Sequence, residues 1–317
     1  MPTILRYSAN AAAIFLALLL CLHILALPSS AGVSITLSPT KIDLILNTGE
    51  TSTQEISIWN TGDEPTRVRV YAMDFSIDRE NNYTFSEPGH ESYSCASWLG
   101  IEESDFDLGP AETKHVEVTI SVPQEVEPGG HYAALFFETI PTETQPGVSV
   151  AIAGRIPSLF YLTIPGITDA DVLANAEITS LMLPGWVDGG PIEIGAVVRN
   201  TGNVHLTIAA KAYFTDFRGR QAGEIDLGQT IVLPGAERAI TGTWEKTPFI
   251  GPTQATVVIG YFDQHSQLVN RSMTGSFQII PWKVIIAVFA SLVLIAFGIW
   301  ALRRKFRFKL ERKDSER

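Results

Sequence analysis

The sequence predicts an all-β chain of two tandem immunoglobulin-like β-sandwiches, followed by one C-terminal transmembrane helix. Three observations predict it. Short runs that alternate apolar and polar residues recur through 32–281, with no sustained helical periodicity. Two turn motifs each occur twice, in the same order. An uncharged apolar run, 284–302, stands directly before a basic cluster.

The N-terminal segment, 1–31, reads as a secretory signal. Arg6 supplies the charged start, Ala11–Leu27 is the apolar run, and Ser29-Ser30-Ala31 places small residues where a signal peptidase needs them. Cleavage is expected after Ala31. Cys21 lies inside the apolar run with Leu20 before it, so it does not fit a lipidation site. Removal of the signal leaves Cys95 as the single cysteine, which excludes an intrachain disulfide.

The first sandwich is expected over 33–165 and the second over 167–280. Val116, Val118, Ile120 and Val122 alternate with His115, Glu117, Thr119 and Ser121. Ile192, Ile194, Ala196 and Val198 do the same in the second half, as do Leu206, Ile208, Ala210, Ala212 and Phe214. Such strands bury one face and wet the other. Asn60-Thr61-Gly62 is matched by Asn200-Thr201-Gly202, each at a strand end where Asn and Gly tolerate a positive φ. Leu108-Gly109-Pro110-Ala111-Glu112 is matched by Leu233-Pro234-Gly235-Ala236-Glu237. Two copies of one immunoglobulin-like unit fit this order. The linker is expected at Pro165–Asp169. Trp98, at the start of a strand, and Trp244 are expected to fill the interiors of their own sandwiches.

The membrane helix is assigned to 283–302 and a basic cytoplasmic tail to 303–317. At about 1.5 Å per residue the apolar run just spans a hydrocarbon core. Trp282 and Trp300 stand near its ends as interface anchors, and Arg303, Arg304 and Lys305 place the C-terminus in the cytoplasm. Charge follows the same division. Residues 32–281 hold 13 basic and 31 acidic side chains, a net of −18. The last 15 residues hold 8 basic and 3 acidic, a net of +5. So acidic a middle would repel phosphate backbones, which argues against nucleic-acid binding. The tail is too short for a folded signalling domain.

A search for catalytic chemistry yields no site. The chain has no Gly-x-Ser-x-Gly elbow and no P-loop. His90, His115, His131, His205 and His265 lack metal-ligand spacing, so no metal or cofactor is assigned. Cys95 reads as a small buried hydrophobe beside Trp98. The acidic run 102–107 offers carboxylates to Ca²⁺ but lacks a Gly-centred loop, and a solvated loop fits it better. The expectation is a non-enzymatic protein.

Two families bear a resemblance. In the first half, Ser38-Pro39-Thr40-Lys41-Ile42 precedes Gly49-Glu50 and Asn60-Thr61-Gly62. Then come Arg67–Phe75, Ser97-Trp98-Leu99, Pro110–Thr113, Val122-Pro123, Pro128–Tyr132 and Leu135-Phe136-Phe137. In this order they resemble the N-terminal module of bacterial WxL-interacting proteins, as does the layout of signal, two sandwiches, anchor and basic tail. That resemblance implies a cell-envelope attachment protein, exposed at the cell surface, with a cell-wall polymer (peptidoglycan) or a surface protein as partner. Gly154-Arg155-Ile156-Pro157-Ser158-Leu159-Phe160-Tyr161 resembles the subunit-pairing strand of periplasmic pilus chaperones. That second resemblance implies strand pairing with a partner (β-augmentation), with Lys41 and Arg155 holding its terminal carboxylate.

Overall fold

The computed structural model describes residues 35–140, 154–168, 170–245 and 250–306. The proposed signal segment lies outside them. Ten strands make the first half: β1 (Ile35–Ser38), β2 (Lys41–Ile45), β3 (Thr51–Asn60), β4 (Thr66–Ile77), β5 (Tyr83–Ser86), β6 (Leu99–Ile101), β7 (Asp105–Leu108), β8 (Thr113–Ser121), β9 (Gly129–Ile140) and β10 (Arg155–Ile164). Eight make the second: β11 (Ala176–Met182), β12 (Trp186–Val187), β13 (Ile192–Asn200), β14 (Leu206–Asp216), β15 (Gln221–Val232), β16 (Glu237–Trp244), β17 (Gly251–Phe262) and β18 (Leu268–Ile279). Helix α1 (Trp282–Phe306) follows.

Each half is a sandwich. In the first, a sheet ordered β1-β3-β8-β6 faces one ordered β2-β10-β9-β4-β5, with β7 also on β4. In the second, β11-β13-β16 faces β12-β18-β17-β14-β15. The opening segment of each half switches sheets: β1 pairs antiparallel with β3 and β2 parallel with β10, just as β11 pairs with β13 and β12 with β18. The alternation read from the sequence is the burial pattern of β8 and β14. It places Val116, Val118 and Ile120 in one core, and Ile208, Ala210, Ala212 and Phe214 in the other. Trp244 closes the second core, stacked on Phe214 with ring centroids 3.9 Å apart.

The paired motifs of the sequence are joined in space. Asn60 is fully buried, and its side-chain amide donates to the carbonyls of Glu64, Leu108 and Gly109. Its Oδ1 accepts from Gly62 N–H. Asn200 repeats this: it donates to Val204 and Val232 carbonyls and accepts from Gly202 N–H. The Asn is thus an internal clamp between two loops. Positive φ has no part in it, since neither Asn nor its following Gly has one. Gly202 is instead required for close approach, because a Cβ there would lie 2.0 Å from the Leu173 carbonyl oxygen.

The hydrogen bonds also correct the alignment of the second motif. Asn60 N–H donates to Glu112 O where Asn200 N–H donates to Ala236 O, and Glu112 N–H to Gly109 O where Ala236 N–H donates to Leu233 O. Gly109-Pro110-Ala111-Glu112 is therefore equivalent to Leu233-Pro234-Gly235-Ala236, one residue off the match by identity. The left-handed residue of the turn is Ala111 (φ 55°) in one copy and Gly235 (φ 72°) in the other.

Two further expectations change. Trp98 does not begin a strand: Ala96–Trp98 is a 3-10 turn, and the half-buried indole packs at the core margin, 4.7 Å from the His131 ring. The helix does not stop at Leu302 but continues through Phe306, so the first tail residues extend it. It is long and apolar enough to cross a membrane over Trp282–Arg304.

The two sandwiches are packed together rather than strung on a free linker. Phe75, Tyr132, Phe136 and Tyr161, on the outer face of the six-stranded sheet, form an aromatic cluster completed by Leu233 of the second sandwich. Leu233 is 1% exposed. Gly130 N–H donates to Asn203 O at 2.7 Å, and Ala239 N–H to Arg79 O at 2.9 Å. A Cβ on Gly130 would meet the Tyr132 hydroxyl at 1.9 Å and the Val204 Cα at 3.3 Å, so a side chain there would push the buried Tyr132 ring aside at this seam. Buried Arg238 donates to Asn81 Oδ1 and, at 2.7 Å, to Ile231 O.

Candidate functional site

Among the described residues, strand β2 ends its sheet and leaves one edge open. Leu159 N–H donates to Thr40 O and Leu46 N–H donates to Thr163 O. Because peptide groups alternate along a strand, Thr40, Ile42, Leu44 and Leu46 face β10, and the N–H and C=O groups of Lys41, Asp43 and Ile45 face outward. Among the described residues these three peptide units in a row have no backbone partner, the usual template for an added strand.

The side chains beside this edge are polar at one end and apolar at the other. Lys41 Nζ lies 3.0 Å from Asp43 Oδ2 and 4.8 Å from the centroid of the Tyr161 ring. Asp43 Oδ2 also lies 3.2 Å from His205 Nε2, which belongs to the second sandwich. Burial alone would raise the Asp43 pKa, but the His205 and Lys41 contacts outweigh it and hold the carboxyl at about 2. The other ring nitrogen of His205 is buried without a hydrogen-bond partner.

Beyond Asp43 the edge runs into a cleft of about 440 Å³ between the sandwiches, lined by Ile45, Thr163, Val172, His205 and Phe262 among others. Apolar side chains stand open around it: Ile45 is 74% exposed, Ile167 fully exposed and Phe262 64% exposed. Polar side chains share the lining: Thr163, Thr168, His205, Asp263, Gln264 and Ser266.

Arg155 stands at the other end of the same sheet face. Its guanidinium lies 4.7 Å from the Phe136 centroid and 5.9 Å from that of Phe85. Lys41 is opposite Leu159, four residues along β10 from Arg155, or about 13 Å at strand rise. The two cations share a face, with Lys41 turned to Asp43 and Arg155 over Phe136. Pro157 lies between them. By the same alternation its nitrogen points to the open side, so this stretch of β10 lacks a donor that strand addition would use. Among the described residues, the uninterrupted row of outward peptide groups is therefore on β2 rather than at the start of β10.

Other sequence features resolve as structure. Cys95 is fully buried, and burial pushes its thiol pKa well up. His115 is exposed and bonded to Ser57 and Glu55. Of the acidic run, Asp105 lies near Arg67 and Arg69, and Glu103 pairs with Lys114. Among the described residues no cluster of His, Cys, Asp and Glu has metal-binding geometry. Ser38 and Lys41 have the Ser-x-x-Lys spacing of one class of acylating enzymes. Here they stand on separate strands across Pro39, and Lys41 is paired to Asp43. In α1, the Arg304 guanidinium lies 5.4 Å from the Trp300 centroid.

The aromatic cluster and cleft were not singled out from the sequence. A signal exists in Tyr132–Phe137, a run without polar alternation, which marks a strand buried on both faces. That run says nothing of what covers the second face.

No protein-family model and no curated sequence matches the chain. Solved structures similar to it include a class 5 fimbriae chaperone, CfaA, at 10% identity and a TM-score of 0.37, covering 77% of this chain and 99% of that one. A second is a chain of the CsuC–CsuE chaperone–tip adhesion subunit pre-assembly complex from archaic Csu pili of Acinetobacter baumannii. It is 12% identical with a TM-score of 0.40, covering 76% and 97%. A third is a chain of the Salmonella enterica SafA pilin–SafB chaperone complex, 12% identical with a TM-score of 0.35, covering 79% and 99%. Likeness at this level carries no argument about what the chain binds.

Proposed function

We propose that this chain is a membrane-anchored, extracytoplasmic binding protein that holds an extended segment of a partner polypeptide along β2, with the partner's apolar side chains in the interdomain cleft. The observation that carries this reading is the continuity of the site. Three outward peptide units at Lys41, Asp43 and Ile45 lead into a cleft ringed by exposed Ile45, Ile167 and Phe262. Main-chain bonds would supply affinity and the cleft specificity. The reading invokes no catalytic group. The anchor is α1, and the basic residues at its C-terminal end orient the sandwiches away from the cytoplasm.

The test is photo-crosslinking in cells with benzoylphenylalanine at Ile45, at Phe262, and at Lys211 on an outer sheet face. Defined polypeptide adducts are expected from Ile45 and Phe262 and none from Lys211. If Ile45 captures nothing while the purified chain sediments with cell-wall sacculi regardless of Ile45→Asp, wall attachment replaces this reading.

A further inference from the structure

The end of the second sandwich from which α1 emerges carries its own apolar surface, away from the cleft. Trp186 is 60% exposed, Phe217 60% and Ile250 61%. Strand β12, the end of β14 and the start of β17 bring them to one end of the fold. Trp186 is opposite Gln278 near the end of β18. Phe217 opens the β14–β15 turn, and a Cβ on Gly251, the residue after Ile250, would lie 3.8 Å from its ring. Gly251 in turn is opposite Ile279, the last residue of β18.

Only Ile280 and Pro281 separate that strand from the helix, and they are folded against the sandwich rather than extended. Ile280 N–H donates to Val187 O at 2.7 Å, and Trp282 N–H donates back to Ile280 O at 2.8 Å. Lys283, in the first turn of the helix, lies 2.7 Å from Asp188. The level of Val187 and Asp188 is therefore that of the first turn, where Trp282 and Lys283 meet the membrane boundary. A headgroup layer is about 5–7 Å thick on each side of the hydrocarbon core. A sandwich held this close by direct bonds has its end in that layer.

We propose that Trp186, Phe217 and Ile250 form a foot that inserts into the phospholipid headgroup layer of the bilayer anchoring the chain. The inference rests on the anchored reading of α1. Trp suits a layer that is apolar on one side and wet on the other, and Phe and Ile suit its apolar side. Arg218 lies over Phe217, 5.1 Å from its centroid, where its guanidinium faces the lipid phosphates as the ring inserts. Among the described residues the other bases at this end are matched by acids: Arg220 by Asp216 at 2.9 Å and Lys283 by Asp188. The described part of the foot thus presents Arg218 to the phosphodiester common to all phospholipids.

The experiment places single nitroxide labels on the full chain in phosphatidylcholine nanodiscs, in a Cys21→Ser background, with Cys95 fully buried. Labels go at Trp186→Cys, Phe217→Cys and Ile250→Cys. Phe262→Cys, at the far end of the same sheet and 64% exposed, is the control. Val293→Cys reports the anchor. Each labelled chain is first checked for an unchanged melting temperature. At the three foot positions, the ratio of oxygen to water-soluble nickel-chelate accessibility should exceed that at 262 severalfold, while remaining below that at 293. Foot labels as water-exposed as 262, with 293 deep, overturn the foot and leave the anchor standing. A water-exposed 293 overturns the anchor and the foot with it.

Discussion

The two sandwiches repeat one plan and differ at one turn position. Gly109 and Leu233 occupy the same place, each accepting from the N–H three residues on and each gripped next to an Asn clamp. Gly109 has no side chain to bury. Leu233 is buried in the aromatic cluster of the other sandwich. One repeat thus became a free turn and the other a docking knob, without any change in the backbone frame. The first sandwich correspondingly carries a second apolar face, Phe75, Tyr132, Phe136 and Tyr161, that the knob helps cover. A face that needs a cover couples its own stability to that cover, so the two sandwiches are expected to melt together.

The largest effect should come from breaking the knob. Truncating a buried Leu costs about 2–5 kcal/mol, and Leu233→Asp adds an unpaired charge, so it should cost at least that. Calorimetry should show the shared transition lowered and split in two. Gly109→Ala, at the equivalent position, should change the melting temperature little. A single unshifted transition for Leu233→Asp would refute the coupling.

The clamps come next. Asn60→Ala and Asn200→Ala each strand buried carbonyls, at about 2–3 kcal/mol. The two should differ in reach. Asn200 holds the turn bearing Leu233, so its loss should raise hydrogen exchange at Tyr132 and Tyr161 in the first sandwich. Loss of Asn60 should leave Phe214 and Trp244 protected.

A smaller effect concerns pH at the seam. The Asp43 carboxyl titrates at about 2 in the fold against an ordinary 3.8. Its stabilising share is therefore complete above pH 4 and is lost as the pH falls from 4 to 2, where the unfolded chain binds the proton first. Melting temperatures of wild type and Asp43→Asn should differ at pH 5 and converge near pH 2. A difference that persists at pH 2 would mean that charge is not what Asp43 contributes.

The smallest effect is expected at Arg155. An exposed cation over an aromatic face is worth about 0.5–1 kcal/mol, so Arg155→Ala should lower the melting temperature by a degree or two. Partner crosslinking at Ile45 should persist in this variant, because the pairing edge is β2. Loss of crosslinking would return Arg155 to the site.

Much of this molecule is written locally. Alternation of side chains decides which face of β8 or β14 is buried, because a strand has a period of two whatever surrounds it. An uncharged run such as Val284–Leu302 needs no tertiary partner to be a helix in lipid. The recurrence of Asn60 and Asn200 was legible too, though its cause was not. The amide of Asn60 meets Leu108 and Gly109, 48 and 49 residues away, a contact made by the sheet and invisible to any local pattern. The free edge of β2, the cleft beside it, and the separation of Lys41 from Arg155 depend on register and on how two bodies dock. Those were decided only in three dimensions, since the same alternating strands would be equally well buried in several registers and orientations until Leu233, Gly130 and His205 select one.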